Sequence, residues 1–231
     1  ARKLPLAQPD GAIDRAHRIE DFERRIHLPS ELTLQHWFLR HDTIAHLTNV
    51  YYATLHVPVL IGFLVWLYVR HRDQFPRWRN ALAILTGFCL FIRFIRVAPP
   101  RFLPGYVDLA TRYGMSLYGP VNKGISDQFA AMPSIHVGWA AVVSFGIVST
   151  STSRWRWLAL GYVTLTFIAV SATGNHWWMD GIVACFLLWV SLLIEDWGRR
   201  YFRARKAATS RAAVDPPDEG HAEPEGSRSS T

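Results

Sequence analysis

The stretch Met132-Pro-Ser-Ile-His-Val-Gly-Trp-Ala-Ala-Val-Val-Ser-Phe-Gly-Ile-Val148 decides how this chain folds. It is apolar apart from its start, where Ser134 and His136 follow Pro133. At ~1.5 Å per helical residue it nearly spans a hydrocarbon core of ~30 Å. Four further segments of the same kind lie at residues 50–69, 81–98, 157–172 and 179–197. Half of the 231 residues are hydrophobic, yet there are 25 Lys and Arg, gathered in short loops and at polar ends. The fold expected is an all-α polytopic transmembrane helix bundle with five visible spans.

Basic residues accumulate on the cytoplasmic side of membrane proteins. Arg70, Arg72, Arg77 and Arg79 fill the first inter-span loop, Arg154 and Arg156 the third, and Arg199, Arg200, Arg203, Arg205 and Lys206 follow the fifth span. All face the cytoplasm, which leaves the polar ends at Ser134, His136 and His176 outside it, in the cell (plasma) membrane. This orientation strands the N-terminal segment outside unless a sixth span lies upstream of Ala1, which is expected. Residues 1–48 read as one or two amphipathic helices, either lying at the interface or packed on the bundle. Residues 49–198 form the transmembrane domain, and residues 199–231 a basic tail, disordered from Ala207 because it lacks large apolar residues. Cys89 and Cys185 lie in apolar segments and read as small core or lipid-facing residues. The net charge of +7 is explained by loops beside anionic lipid, so no nucleic-acid partner is expected.

Forty residues after His136 comes Asn175-His-Trp-Trp-Met-Asp180. His176 and Asp180 are four apart. If the chain is helical from Trp177 they share a face, and the carboxylate can hold one ring nitrogen while the other stays free. That arrangement suits an oriented nucleophile or base. Pro133 favours the first helical position, which would set Ser134 and His136 beside the unpaired N–H groups of a helix N-terminus, where an anion can bind. Tryptophans 155, 157, 177, 178 and 197 fall near span ends, as in an aromatic belt, and His41, His46 and His56 read as helix or interface residues.

At 131–136 and 175–180 the chain resembles the type 2 phosphatidic acid phosphatase superfamily, marked by Pro-Ser-x-His and by His followed four residues later by Asp. Ala98-Pro-Pro-Arg101 and Tyr113-Gly-Met-Ser-Leu-Tyr118 are most similar to the branch related to inositol phosphorylceramide synthase, with actinobacterial membrane proteins among its members. The resemblance implies a metal-independent, cofactor-free lipid phosphatase or phosphotransferase. His176 would be the nucleophile that carries the phosphate, Asp180 its orienting partner, and His136 the acid that protonates the leaving alcohol. Arg101, Ser134, Asn175 and Lys123 would bind the substrate, a phospholipid or polyprenyl phosphate. Two departures stand out: Phe94 and Phe102 replace the family's Lys and Pro around Arg101, and Ala169-Val170 replace Ser-Arg before His176. Two other readings stay open. One is a lipid-phosphate binding or transport protein that does no chemistry. The other is a metal-dependent hydrolase with His136, His176 and Asp180 as ligands.

Overall fold

A computed structural model describes residues 11–113, 129 and 131–214. Every regular element among them is helical: α1 (Ala12–Arg25), α2 (Glu31–Leu39), α3 (Asp42–Thr54), α4 (His56–Arg70), α5 (Phe75–Ile92), α6 (Leu109–Arg112), α7 (Ile135–Thr150), α8 (Ala159–Ala172) and α9 (Trp178–Val214). The chain divides into two units, residues 1–195 and 196–231. The second contains the end of α9, where Arg199 pairs with Asp196 at 2.7 Å. The helix is described as far as Val214, past Ala207. Ala, Arg and Lys are good helix formers, and a helix needs no apolar core to satisfy its own backbone.

Helix α7 is the centre of the first unit and packs on α4, α5 and α8. The buried residues of α4 (His56, Leu60, Phe63, Leu67) and of α5 (Trp78, Ala81, Leu85, Cys89) recur every three or four positions, so each helix turns one stripe inward. Glycine lets α7 come close: a Cβ on Gly146 would lie 2.2 Å from the Phe63 ring. The outward faces are apolar too. Val57, Ile61, Val65 and Val69 of α4, and Ile182, Phe186, Trp189 and Leu193 of α9, are all exposed. Helices apolar on both faces belong in a bilayer. Residues 154–172 and 178–206 are long and apolar enough to cross one; the pair α3 and α4, bent by 49°, makes a third if counted as one span. Helix α5, with Arg77 and Arg79 near its start, and the 16-residue α7 do not meet that measure.

Two span boundaries differ from expectation, and proline explains both. The segment 50–69 is broken at Leu55 because Pro58, in the first turn of α4, has no N–H to offer the Thr54 carbonyl. The segment 81–98 is displaced: its helix ends at Ile92, ahead of the Pro99-Pro100 pair. Val97 then bonds to the chain ahead of α7, its N–H donating to Phe129 O (2.8 Å) and its carbonyl accepting the Ala131 N–H (3.3 Å). Trp177 is not in an interfacial belt. It is fully buried and donates from Nε1 to the Ala98 carbonyl at 3.0 Å.

The N-terminal helices pack on the bundle. Ala98 N–H donates to Ala12 O at 3.2 Å, and α2 and α3 lie along α8. The start of α9 is held by this arm: Met179 N–H donates to Glu23 Oε1 (2.7 Å), Trp178 N–H to Glu31 Oε1 (3.3 Å), and Trp178 Nε1 to Pro29 O (2.7 Å).

Candidate active site

The end of α8, the start of α7 and the start of α9 meet at one end of the bundle. Gly174, at φ +70°, turns the chain out of α8. A Cβ there would lie 2.9 Å from Gln35 Nε2 and 3.4 Å from Arg101 Cβ, so only glycine fits both the backbone and the space. The turn delivers His176, 5% exposed, just ahead of α9. The helix begins at Trp178, one residue later than expected, so His176 is not on its face. Asp180 folds back to it instead. Its Oδ2 accepts the Trp177 N–H at 2.9 Å and lies 3.3 Å from His176 Nδ1.

The shorter contact of His176 Nδ1 is with the Ala131 carbonyl, at 2.7 Å. A carbonyl only accepts, so the hydrogen is assigned to Nδ1 and the lone pair to Nε2. The fully buried carboxylate of Asp180 would stabilise positive charge on that ring, and its Oδ1 has no partner.

Ser134 is the N-cap of α7, its Oγ accepting the Val137 N–H at 3.4 Å; Pro133 thus precedes the cap rather than opening the helix. Ser134 N–H donates to the Asp180 carbonyl at 3.1 Å, which locks the starts of α7 and α9 together. His136, in the first turn of α7, lies across from His176 with ring centroids 5.9 Å apart. Tyr52 packs on His136 at 4.5 Å and reaches His176 at 6.5 Å. His56 is also here, 5.0 Å from His136 and only 3% exposed, a position that its reading as a helix or interface residue missed. The signal was available: Asn49, Tyr52 and His56 share one face of an otherwise apolar segment, where polar side chains are costly without a purpose.

Arg101 stands beside His176 in a one-turn 3-10 helix. Its N–H donates to the Gly174 carbonyl at 2.9 Å, and its Nη1 donates to Asn175 Oδ1. Asp108 lies 3.7 Å from its Nε, and the guanidinium sits 5.1 Å from the Phe102 ring centroid. Asn175 Nδ2 donates to Thr173 Oγ1 at 2.9 Å, so both ends of its amide are engaged within the chain. Gln35 clasps the loop behind Arg101: Oε1 accepts the Val107 N–H (2.8 Å), while Nε2 donates to Val107 O (2.9 Å) and Ala172 O (3.2 Å). Of the departures from the family pattern, Phe94 is 84% exposed, Phe102 lies against the Arg101 guanidinium, and Val170 has its side chain in the core while its carbonyl accepts the His176 N–H at 3.3 Å. Lys123, and residues 114–118 of the Tyr113 stretch, lie outside the described residues.

Beneath the site, Glu23 is 2% exposed. Burial, together with the hydrogen bond and charge of Glu31 beside it, pushes its carboxyl up to about 9. Protonated, it can accept from Met179 and donate to Glu31 at once. Among the described residues no three His, Cys, Asp or Glu side chains group as metal ligands.

A family model described as the PAP2 superfamily matches residues 17–194. No curated protein and no solved structure matches the chain.

Proposed function

Because the chain belongs to the PAP2 superfamily, whose members are typically phosphatases acting on lipid phosphates, we propose that it cleaves or transfers a lipid's phosphate or phosphoinositol headgroup through a phosphohistidine at His176. The observation that carries this reading is the pair of acceptors on His176 Nδ1, the Ala131 carbonyl and Asp180, which leaves the Nε2 lone pair for attack.

Nε2 attacks phosphorus and the bond from phosphorus to the lipid oxygen breaks. The electron pair leaves with that oxygen, which takes a proton from His136. Water or a second alcohol then attacks the phosphohistidine, gives its proton to His136, and the P–N bond breaks. Attack by water is hydrolysis; attack by an alcohol is transfer, which the likeness to the inositol phosphorylceramide synthase branch favours. Arg101 offers its planar set of donors to the phosphate oxygens, oriented by Asn175 and joined by Lys123, Ser134 and the free N–H groups opening α7. No metal enters this route.

The bilayer placement we propose has five spans, formed by the bent pair α3 and α4, by α5, by α7, by residues 154–172 and by α9 from Trp178, in the plasma membrane. The basic loops face the cytoplasm, and the site, at the opposite helix ends, faces outward.

The test is release of phosphate or headgroup from phosphatidic acid, phosphatidylinositol and polyprenyl diphosphate by purified protein in EDTA, beside His176→Ala. Turnover in the wild type and none in the variant is the expected result. Loss of activity to EDTA would favour a metal-dependent hydrolase. Lipid binding without turnover of any substrate, with or without an alcohol acceptor, would favour the non-catalytic binding or transport reading.

A further inference from the structure

His56 opens α4 at the bend from α3, and the residues that follow it as far as Val69 carry no charge. Its ring sits in a box of four others: Tyr51 of α3 at 5.5 Å, Tyr52 of α3 at 6.3 Å, Tyr162 of α8 at 6.2 Å, and His136 of α7 at 5.0 Å, edge to face. Both ring nitrogens are buried; one can donate to the Tyr52 carbonyl one turn back, which leaves the other without a partner. A phenyl ring would fill the same box without leaving a polar atom unsatisfied, so packing does not account for an imidazole here. An ionisable residue at membrane depth calls for a named partner. One is at hand, because Nδ1 of His136 is also buried and also without a partner.

We propose that His56 is a positioning residue for His136: it bonds His136 Nδ1, directly or through one water, and thereby fixes which nitrogen of His136 faces the reacting phosphate. A hydrogen bond at one imidazole nitrogen decides the tautomer at the other. His136 thus receives from a neighbouring histidine the restraint that His176 receives from Ala131 and Asp180. The proposal deepens the phosphohistidine reading and rests on it only for its catalytic consequence. The titratable groups facing His56 are Tyr51, Tyr52, Tyr162 and His136, with His176 beyond.

Imidazole nitrogen NMR of histidine-labelled protein in micelles tests the restraint without recourse to activity. The His136 resonances are identified by their loss in His136→Gln. In His56→Phe they should move to a mixture of tautomers while those of His176 stay put, and His56→Asn, which keeps a polar partner, should restore them. Unchanged His136 resonances in His56→Phe, or a His176 pattern that moves as far, would overturn the proposal. In the lipid assay, His56→Phe should lower kcat about tenfold or more, within the range for a mis-set general acid. KM should stay within about twofold, the pH profile of kcat should change shape, and His56→Asn should recover most of the rate. Wild-type protein that releases no phosphate would count against the phosphatase reading and leave the NMR result standing.

Discussion

Replacing Glu23 tests the idea that a proton in the N-terminal arm steadies the catalytic end of α9. Glu23→Ala removes the acceptor 2.7 Å from the Met179 N–H and the donor to Glu31. A buried donor left unpaired costs about 1–3 kcal/mol. For a chain of this size each kcal/mol shifts Tm by ~2–4 °C, so a fall of roughly 2–12 °C is expected. Glu23→Gln keeps an acceptor for Met179 and a donor for Glu31, and should stay within about 1 kcal/mol of wild type below about pH 5 and become the more stable of the two as pH rises. The two also differ in pH dependence. The Glu23 carboxyl is raised from its ordinary 4.5 to about 9, so between those values the folded chain keeps a proton that the unfolded chain has released. The stabilisation is complete below the unfolded value and is lost as pH rises through the folded one. Wild type should therefore lose stability from about pH 5 to 9, whereas Glu23→Gln should lack that slope. Thermal unfolding in detergent, followed by tryptophan fluorescence, measures both, since Trp178 bonds the same arm. If Glu23→Gln is as damaged as Glu23→Ala, or keeps the wild-type slope, the shared proton does not hold α9.

Arg101→Gln should reduce kcat/KM for a lipid phosphate about 10- to 100-fold, the equivalent of ~1.5–3 kcal/mol for hydrogen bonds to a charged group, and should lower Tm as well because Asn175 and Asp108 lose their partner. Equal activity in the variant would remove Arg101 from the site. Gly174→Ala puts a Cβ at positive φ against Gln35 and Arg101; about 1–2 kcal/mol of backbone strain should appear in the unfolding midpoint and activity should fall with it. Gly181→Ala places a Cβ 2.2 Å from the Phe167 ring and should cost about 1–3 kcal/mol by overpacking, and a neutral midpoint would show that the α8–α9 contact yields easily.

Periodicity and composition went far with the bundle, because an apolar run leaves few options besides a helix. They were weakest at its edges. Pro58 and the Pro99-Pro100 pair moved boundaries that hydropathy alone smoothed over. His176 and Asp180 were legible as a pair from their spacing, but the closer partner of His176 was not. The Ala131 carbonyl belongs to irregular chain forty-five residues away, and a backbone oxygen has no sequence signature. The arm was ambiguous for a different reason: an amphipathic stripe fits an interface and a neighbouring helix equally well. Glu23 and Glu31 look like solvent-facing charges until two α9 amides are found to meet them. His56 read as a helix or interface residue, although the repeat with Asn49 and Tyr52 marked a polar face.

The bond from Met179 to Glu23 joins residues 156 positions apart, and its consequence is one of timing. During synthesis the arm emerges early and must wait, undocked, for the last helix of the bundle. Until then the first turn of α9 lacks the three bonds to Glu23, Pro29 and Glu31 that aim it. The direction of that turn is therefore settled late, as the two ends of the domain close on each other.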